Sequence, residues 1–279
     1  MSVRKHFFES LERENDYQYE YEKLEAFCAE KYGDYYGETS INQWIESNFR
    51  LWRRRSNYYS FAELRDYLGF HIEGGISVYK LSAHDVDLNK YLLFAEMILN
   101  LIYDLKARCD HRLNSVIQAM NGTIAATIEK AGLELRNIND ELVIVEKNAV
   151  AISVADSNPE LASVIIEYNH YLLHGDIKKK RLLLKQIADA LEPKDKELKG
   201  ICKGMVDDFF FLVNRMNIRH NNCDPSDKKN YTAQFAELTN EEKEKWYDTI
   251  YDQALTLFVL LDQKSRTHII NQFRNSIIA

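Results

Sequence analysis

Residues 90–132 read KYLLFAEMILNLIYDLKARCDHRLNSVIQAMNGTIAATIEKAG. Apolar side chains recur through this run every three or four positions, the period of a helix that buries one face. The run is far longer than a mean helix of about 11–12 residues, so it holds more than one helix. Asn121-Gly122 is the expected break, since both residues leave a helix readily. With only 10 Gly and 3 Pro in 279 residues, little else interrupts helices. The expected fold is therefore mainly α, a helical bundle with one or two small β-hairpin excursions.

Upstream, residues 1–30 are helical in pattern and rich in tyrosine, with Tyr17, Tyr19 and Tyr21 among Glu and Lys. INQWIESNFRLWRRRS, residues 41–56, repeats Ile41, Trp44, Ile45, Phe49 and Trp52 on one helical face. Its basic end, Arg53 to Arg55, suits a helix C-terminus or a phosphate contact. GFHIEGGISVYKL, residues 69–81, places Gly74-Gly75 between two β-prone pieces, the pattern of a two-residue hairpin. Downstream, ELVIVEKNAVAISVA, residues 141–155, suggests a second hairpin turning at Lys147-Asn148. A helix is expected from Asn158-Pro159 to His174, with Gly175 as its stop. Others follow over DIKKKRLLLKQIADAL (176–191), from Asp195 into the 209 region, near 241–263 and near 265–277. Residues 1–85 form an N-terminal helical region with a hairpin, and residues 86–279 a bundle with short links.

Bulk composition narrows the function. Hydrophobic residues make up 46% and charged residues 28%, as in an ordinary globular chain. The net charge of −7 means that any nucleic-acid contact must use a local basic patch. Cys28, Cys109, Cys202 and Cys223 are widely spaced and form no C-x-x-C pair, the usage of reduced thiols. The N-terminus has no apolar signal segment, and no stretch nears 18 uninterrupted apolar residues, so a cytoplasmic chain without membrane partners is expected.

Chemistry concentrates in FFFLVNRMNIRHNNCDPSD, residues 209–227, where a greasy run passes straight into two arginines, a histidine and asparagines. A helix apolar nearly all round is buried, so Arg215, Asn217, Arg219 and His220 should share a network or line a cleft. Arg215 and Arg219 lie on one helical face. His220 stands about 140° from Arg215 on an ideal helix, so the two meet one phosphate only if the helix ends nearby or a second subunit completes the site. These residue types suit cleavage of RNA by its own 2′-hydroxyl. Histidine moves protons near neutral pH. Arginine grips phosphate oxygens and offsets developing charge.

Arg215 to His220, R-M-N-I-R-H, resembles the R-x4–6-H signature of the HEPN superfamily, and the resemblance extends over roughly residues 87–279. It implies a helical bundle that dimerises with its motifs facing, and a metal-independent endoribonuclease of phage defence, abortive infection or a toxin system. No metal and no cofactor is implied. His220 would shuttle protons, Arg215 or Arg219 would clamp phosphate, and Asn217 and Asn221 would orient them. The partners implied are RNA, tRNA included, a second copy of the chain, and an antitoxin or defence-system protein. Many members of the superfamily are non-catalytic, and the alternative is a helical dimer acting as an interaction or ligand-sensing module.

Three weaker patterns remain. Glu167, His170 and His174, at i, i+3 and i+7 with Asp176 nearby, have the types and spacing of a metal site, while His174 before Gly175 equally suits a helix-end cation. Lys178 to Arg181 with Lys185 form a basic patch suited to an RNA backbone or a solvated face. Tyr35, Tyr36, Tyr58 and Tyr59, with the three N-terminal tyrosines, suit base stacking or packing.

Overall fold

The computed structural model describes residues 16–35, 37–70 and 85–278. The described residues are mostly helical, with two small antiparallel two-stranded sheets among them. It divides into two compact units, residues 1–144 and 145–279. The sequence placed its division at 85/86.

In the first unit, α1 (Tyr17–Ala29) is capped by the Asp16 side chain and followed by a short hairpin, β1 (Tyr32–Asp34) with β2 (Gly37–Thr39). α2 (Ile41–Asn48) starts with a full capping box between Ser40 and Gln43 and runs into a single 3₁₀ turn, Phe49–Leu51. α3 (Phe61–Tyr67), α4 (Leu88–Leu105) and α5 (Asn114–Lys130) follow. α4 packs on α1 and α2, which is why it belongs with them. The β3 (Leu133–Ile138) and β4 (Glu141–Glu146) strands form a hairpin turning at Asn139-Asp140. Both turn residues have positive φ, 51° and 65°, as a type I′ turn requires.

The centre of this unit is aromatic and contains one ion pair. Tyr21 meets Phe94 edge-on at 4.9 Å and Phe70 at 5.7 Å. Within it, the fully buried Glu25 carboxylate accepts from the Tyr21 hydroxyl at 2.8 Å and from both terminal nitrogens of Arg65. Arg65 also donates from Nε to the Phe70 carbonyl at 3.2 Å, and its guanidinium lies over the rings of Phe61 and Phe94. Burial of each charge is offset only because the other is present.

The second unit holds α6 (Ala149–Ser157), α7 (Ala162–Tyr168), α8 (Ile177–Leu191), α9 (Asp195–Arg215), α10 (Ala233–Ala236) and α11 (Asn240–Ile278). α8 and α9 pack along the first half of α11. Leu183, Ile187, Leu191, Val206, Phe209 and Val213 face Tyr247, Tyr251, Ala254 and Phe258 in one core. α9 kinks at Cys202, where φ is −147°, between Gly200 and Gly204. No described helix is long and apolar enough to cross a membrane.

Several expected boundaries move. Asn121-Gly122 lies inside α5; the break comes earlier, in two 3₁₀ turns around Cys109-Asp110, where the Asp110 side chain caps the second turn. The second hairpin is not in 141–155: its β-branched residues split between β4 and α6, and Asn148 caps α6 instead of making a turn. The helix expected from Pro159 to His174 starts only at Ala162 and stops at Tyr168, where the Asn169 side chain turns back onto the Ile165 carbonyl; a 3₁₀ turn, Tyr171–Leu173, follows. Residues 241–263 and 265–277 are one helix, as neither Gly nor Pro separates them. Residues 1–15 and the Gly74-Gly75 hairpin lie outside the described residues.

Removal of one member of the Glu25–Arg65 pair strands the other in the core. Arg65→Ala should cost the first unit about 3–5 kcal/mol, read by urea denaturation followed through tryptophan fluorescence. The double variant Glu25→Leu/Arg65→Met should recover most of that loss. A loss under about 1 kcal/mol for Arg65→Ala would contradict the assignment.

Candidate functional site

The sequence around Arg215 ends a helix in a specific way. Leu212 still receives the Met216 N–H, at 2.8 Å, but Met216 leaves helical geometry and Asn217 takes a positive φ of 60°. Asparagine tolerates that conformation better than most residues. The chain then folds back, with the Arg219 N–H reaching the Val213 carbonyl at 3.3 Å and Ile218 buried beneath.

Two asparagines hold this turn. The Asn217 N–H donates to the Asn222 side-chain oxygen at 2.8 Å, and the Asn222 N–H donates to the Asn217 side-chain oxygen at 3.1 Å. Asn222, at 0% exposure, also donates from its amide nitrogen to the Asn230 carbonyl and accepts the Thr232 N–H at 3.0 Å. The loop after α9 is thereby tied to the segment entering α10.

The predicted site residues take different positions. Arg219 turns onto α8: it donates to both carboxylate oxygens of Glu192 at 3.0 and 3.2 Å and to the Ala188 carbonyl at 3.2 Å, approaches Asp189, and stacks over Phe210. Asn217 serves the turn. Arg215, His220 and Asn221 are exposed. Neither Arg215 nor His220 has a side-chain hydrogen bond or ion pair among the described residues. α9 is also less buried than its composition implied: Phe209 and Val213 enter the core, while Phe211 is 62% exposed. Because α9 ends at Arg215, the 140° separation of an ideal helix does not apply to His220.

The basic patch at 178–181 is broken up. Lys179 pairs with Glu167 at 2.6 Å, and Lys180 points inward. Its ammonium sits between Glu244 at 2.8 Å and Asp248 at 2.7 Å, over the ring of Tyr168. Burial works against that charge, and the two carboxylates outweigh it, holding Lys180 above its usual range. Glu244 accepts from Lys180, from the Gly175 N–H at 2.8 Å and from His174 Nδ1 at 3.1 Å; these donors overcome its burial and hold its carboxyl below the usual value. The Tyr168 hydroxyl donates to the same Asp248 oxygen, at 3.0 Å, and its ring stacks on Tyr251 at 4.0 Å. Burial, then the Asp248 charge, drive the Tyr168 phenol far up. In front of this group opens a cleft of about 230 Å³.

Sequence reasoning missed that cleft. Its signal was present in EKWYDTIYD, where Glu244, Asp248 and Asp252 stand at i, i+4 and i+8, one face of a helix. The proposed metal set does not assemble: Glu167 is taken by Lys179, His174 by Glu244, and Asp176 caps α8, while His170 accepts the Leu172 N–H. Among the described residues no group of three or more metal-ligating side chains is gathered. Of the candidate stacking tyrosines, Tyr21 is core, Tyr19, Tyr35 and Tyr59 are exposed, and Tyr36 lies outside the described residues.

No protein-family model matches this chain, and no curated protein or solved structure is significantly similar to it.

Two outcomes follow from these contacts. Asn222→Ala removes hydrogen bonds to Asn217 and Asn230 together and should cost about 2–4 kcal/mol, measured by thermal unfolding; a loss within about 0.5 kcal/mol would mean that the turn holds itself. Glu244, lowered from its ordinary 4.5, contributes stability that is complete above that pH and is lost as pH falls through its lowered value. Melting temperatures against pH should therefore fall less steeply below pH 4.5 in Glu244→Gln than in the wild type.

Proposed function

We propose that the chain is an endoribonuclease of HEPN type, cleaving RNA through attack of its own 2′-hydroxyl. The observation that supports this most is the state of the motif's two ends. Arg215 and His220 stand exposed and, among the described residues, without a side-chain partner, beside a backbone turn that the two asparagines hold in place. A guanidinium without a protein carboxylate is available to a phosphate. Between the two candidate arginines the geometry favours Arg215 as the clamp, because Arg219 already satisfies Glu192.

In the reaction the 2′-oxygen bonds to phosphorus as the P–O5′ bond breaks. A proton leaves the 2′-hydroxyl and another arrives at the departing 5′-oxygen, giving a 2′,3′-cyclic phosphate and a 5′-hydroxyl. His220 serves one of these transfers, and two copies facing each other would supply both imidazoles. Arg215 offsets charge on the phosphorane oxygens. Phe211, one helical turn before Arg215, is exposed on the same face and would be covered in such a dimer. The resemblance places the activity in phage defence or a toxin system, with RNA, tRNA included, as substrate and an antitoxin or defence protein as partner.

A second reading is a non-catalytic interaction module. It draws on the exposed apolar residues of the last turns of α11, Ile269, Ile270, Phe273 and Ile277, together with Phe211.

The two readings part in a cleavage assay with total RNA and a tRNA pool in EDTA. Wild type should leave 2′,3′-cyclic phosphate ends. His220→Ala and Arg215→Ala should each lose about 10²-fold or more in rate while melting normally. Arg219→Ala should lower the melting temperature and retain more activity than Arg215→Ala. Absence of cleavage by folded wild type, or full activity in His220→Ala, would favour the interaction module.

A further inference from the structure

The cleft beside Lys180 is walled by the end of β4, the segment after α7, and α8 and α11, and its polar groups have an uneven balance. The one ammonium on its wall, Lys180, is already neutralised twice over by Glu244 and Asp248. Both contacts on Asp248, from Lys180 and from Tyr168, fall on the same oxygen, Oδ1, and leave Oδ2 open. Glu146 and Asp252 also line the cleft and have no ion-pair partner among the described residues. Burial, then the Asp248 charge, hold the Asp252 carboxyl above its usual range, the condition of an acid lacking a counter-ion.

A neutral group in the wall points the same way. Asn169 is only 7% exposed. Its side-chain nitrogen spends its two hydrogens on the Ile165 carbonyl and the Tyr251 hydroxyl. Its side-chain oxygen has no donor among the described residues and is not sealed from solvent, and Asn169 lines the cleft. An acceptor that is open only toward the cleft is met by a donor that enters there. The cleft thus offers open acceptors, namely Asn169 Oδ1, Asp248 Oδ2 and the carboxylates of Glu146 and Asp252, with a net negative charge. A ligand that fits carries positive charge and several N–H donors.

We propose that this cleft binds a small organic ammonium ion with N–H donors, through Glu146, Asn169, Asp248 and Asp252. The site is separate from Arg215 and His220 in role and does not depend on the ribonuclease reading. Charge alone does not define the ligand: the open amide oxygen requires a hydrogen-bond donor, so a quaternary ammonium of equal charge fits poorly. Free amines and the lysine side chain of another protein share this chemistry. The walled shape of the cleft favours the free amine, which needs no backbone beside it.

Isothermal titration calorimetry on the full chain tests this with putrescine and spermidine as probes, Nα-acetyl-lysine methylamide as the side-chain stand-in, and choline and magnesium as controls. Saturable binding of putrescine or spermidine is expected, with choline and magnesium about tenfold weaker or worse. Asp252→Asn and Glu146→Gln should each weaken amine binding by about tenfold while keeping the wild-type melting temperature. Tighter binding of the lysine derivative than of the free amines would overturn the small-molecule assignment. No heat with any amine at millimolar concentration, equal binding of choline, or unchanged affinity in both variants would overturn the site itself.

Discussion

The reciprocal bonds between Asn217 and Asn222 are the constraint on which the candidate site depends. They close a turn that takes the chain out of α9 immediately after Arg215. Had the helix continued, Arg215 and Arg219 would have shared one face and His220 would have pointed well away from both. Instead Arg219 folds back onto α8 and becomes an anchor, and His220 stands outside the helix. The left-handed backbone at Asn217 carries a strain cost, offset by the hydrogen bonds that the two side-chain oxygens accept. A small polar lock therefore decides which of two arginines is available.

A second polar tie works in the same unit. Lys180 is buried between Glu244 and Asp248, joining α8 to α11 above an otherwise apolar seam. Such an arrangement gives less net stability than its short distances suggest, because both charges leave water. Its consequence is geometric. It draws Tyr168 and Tyr251 into a stacked pair, consumes the only lysine of the cleft, and leaves acceptors facing open space. The first unit uses the same device at Glu25 and Arg65, but there every polar side-chain atom of the pair is met.

Much of the helical pattern was legible because apolar spacing and caps act locally. Ser40 with Gln43, Asp87 and Asp176 each start a helix from their own side chain. The misplaced boundaries arose where a tertiary partner overrode local preference. Asn121-Gly122 stays helical because α5 buries Met120 and Ile124 on either side of it. Val150, Ile152 and Val154 are β-branched, yet Asn148 captures the Ala151 N–H and starts a helix through them. At the site, the motif residues were visible as types, but the carboxylates that claim Arg219 lie 27 residues away in sequence at Glu192. The cleft was harder still: Lys180 read as one member of a solvated basic run, and only folding shows that it alone turns inward.

The proposed ribonuclease requires Arg215 and His220 to meet one phosphate group. That requirement is tested most directly by following histidine ring resonances of the labelled protein during titration with an RNA oligonucleotide whose 2′-hydroxyls are methylated, so that it binds without being cut. The account predicts that the His220 resonance shifts saturably, that the shift disappears in Arg215→Ala, and that it persists in Arg219→Ala. A His220 resonance unmoved at saturation, or one that moves equally in Arg215→Ala, would contradict it.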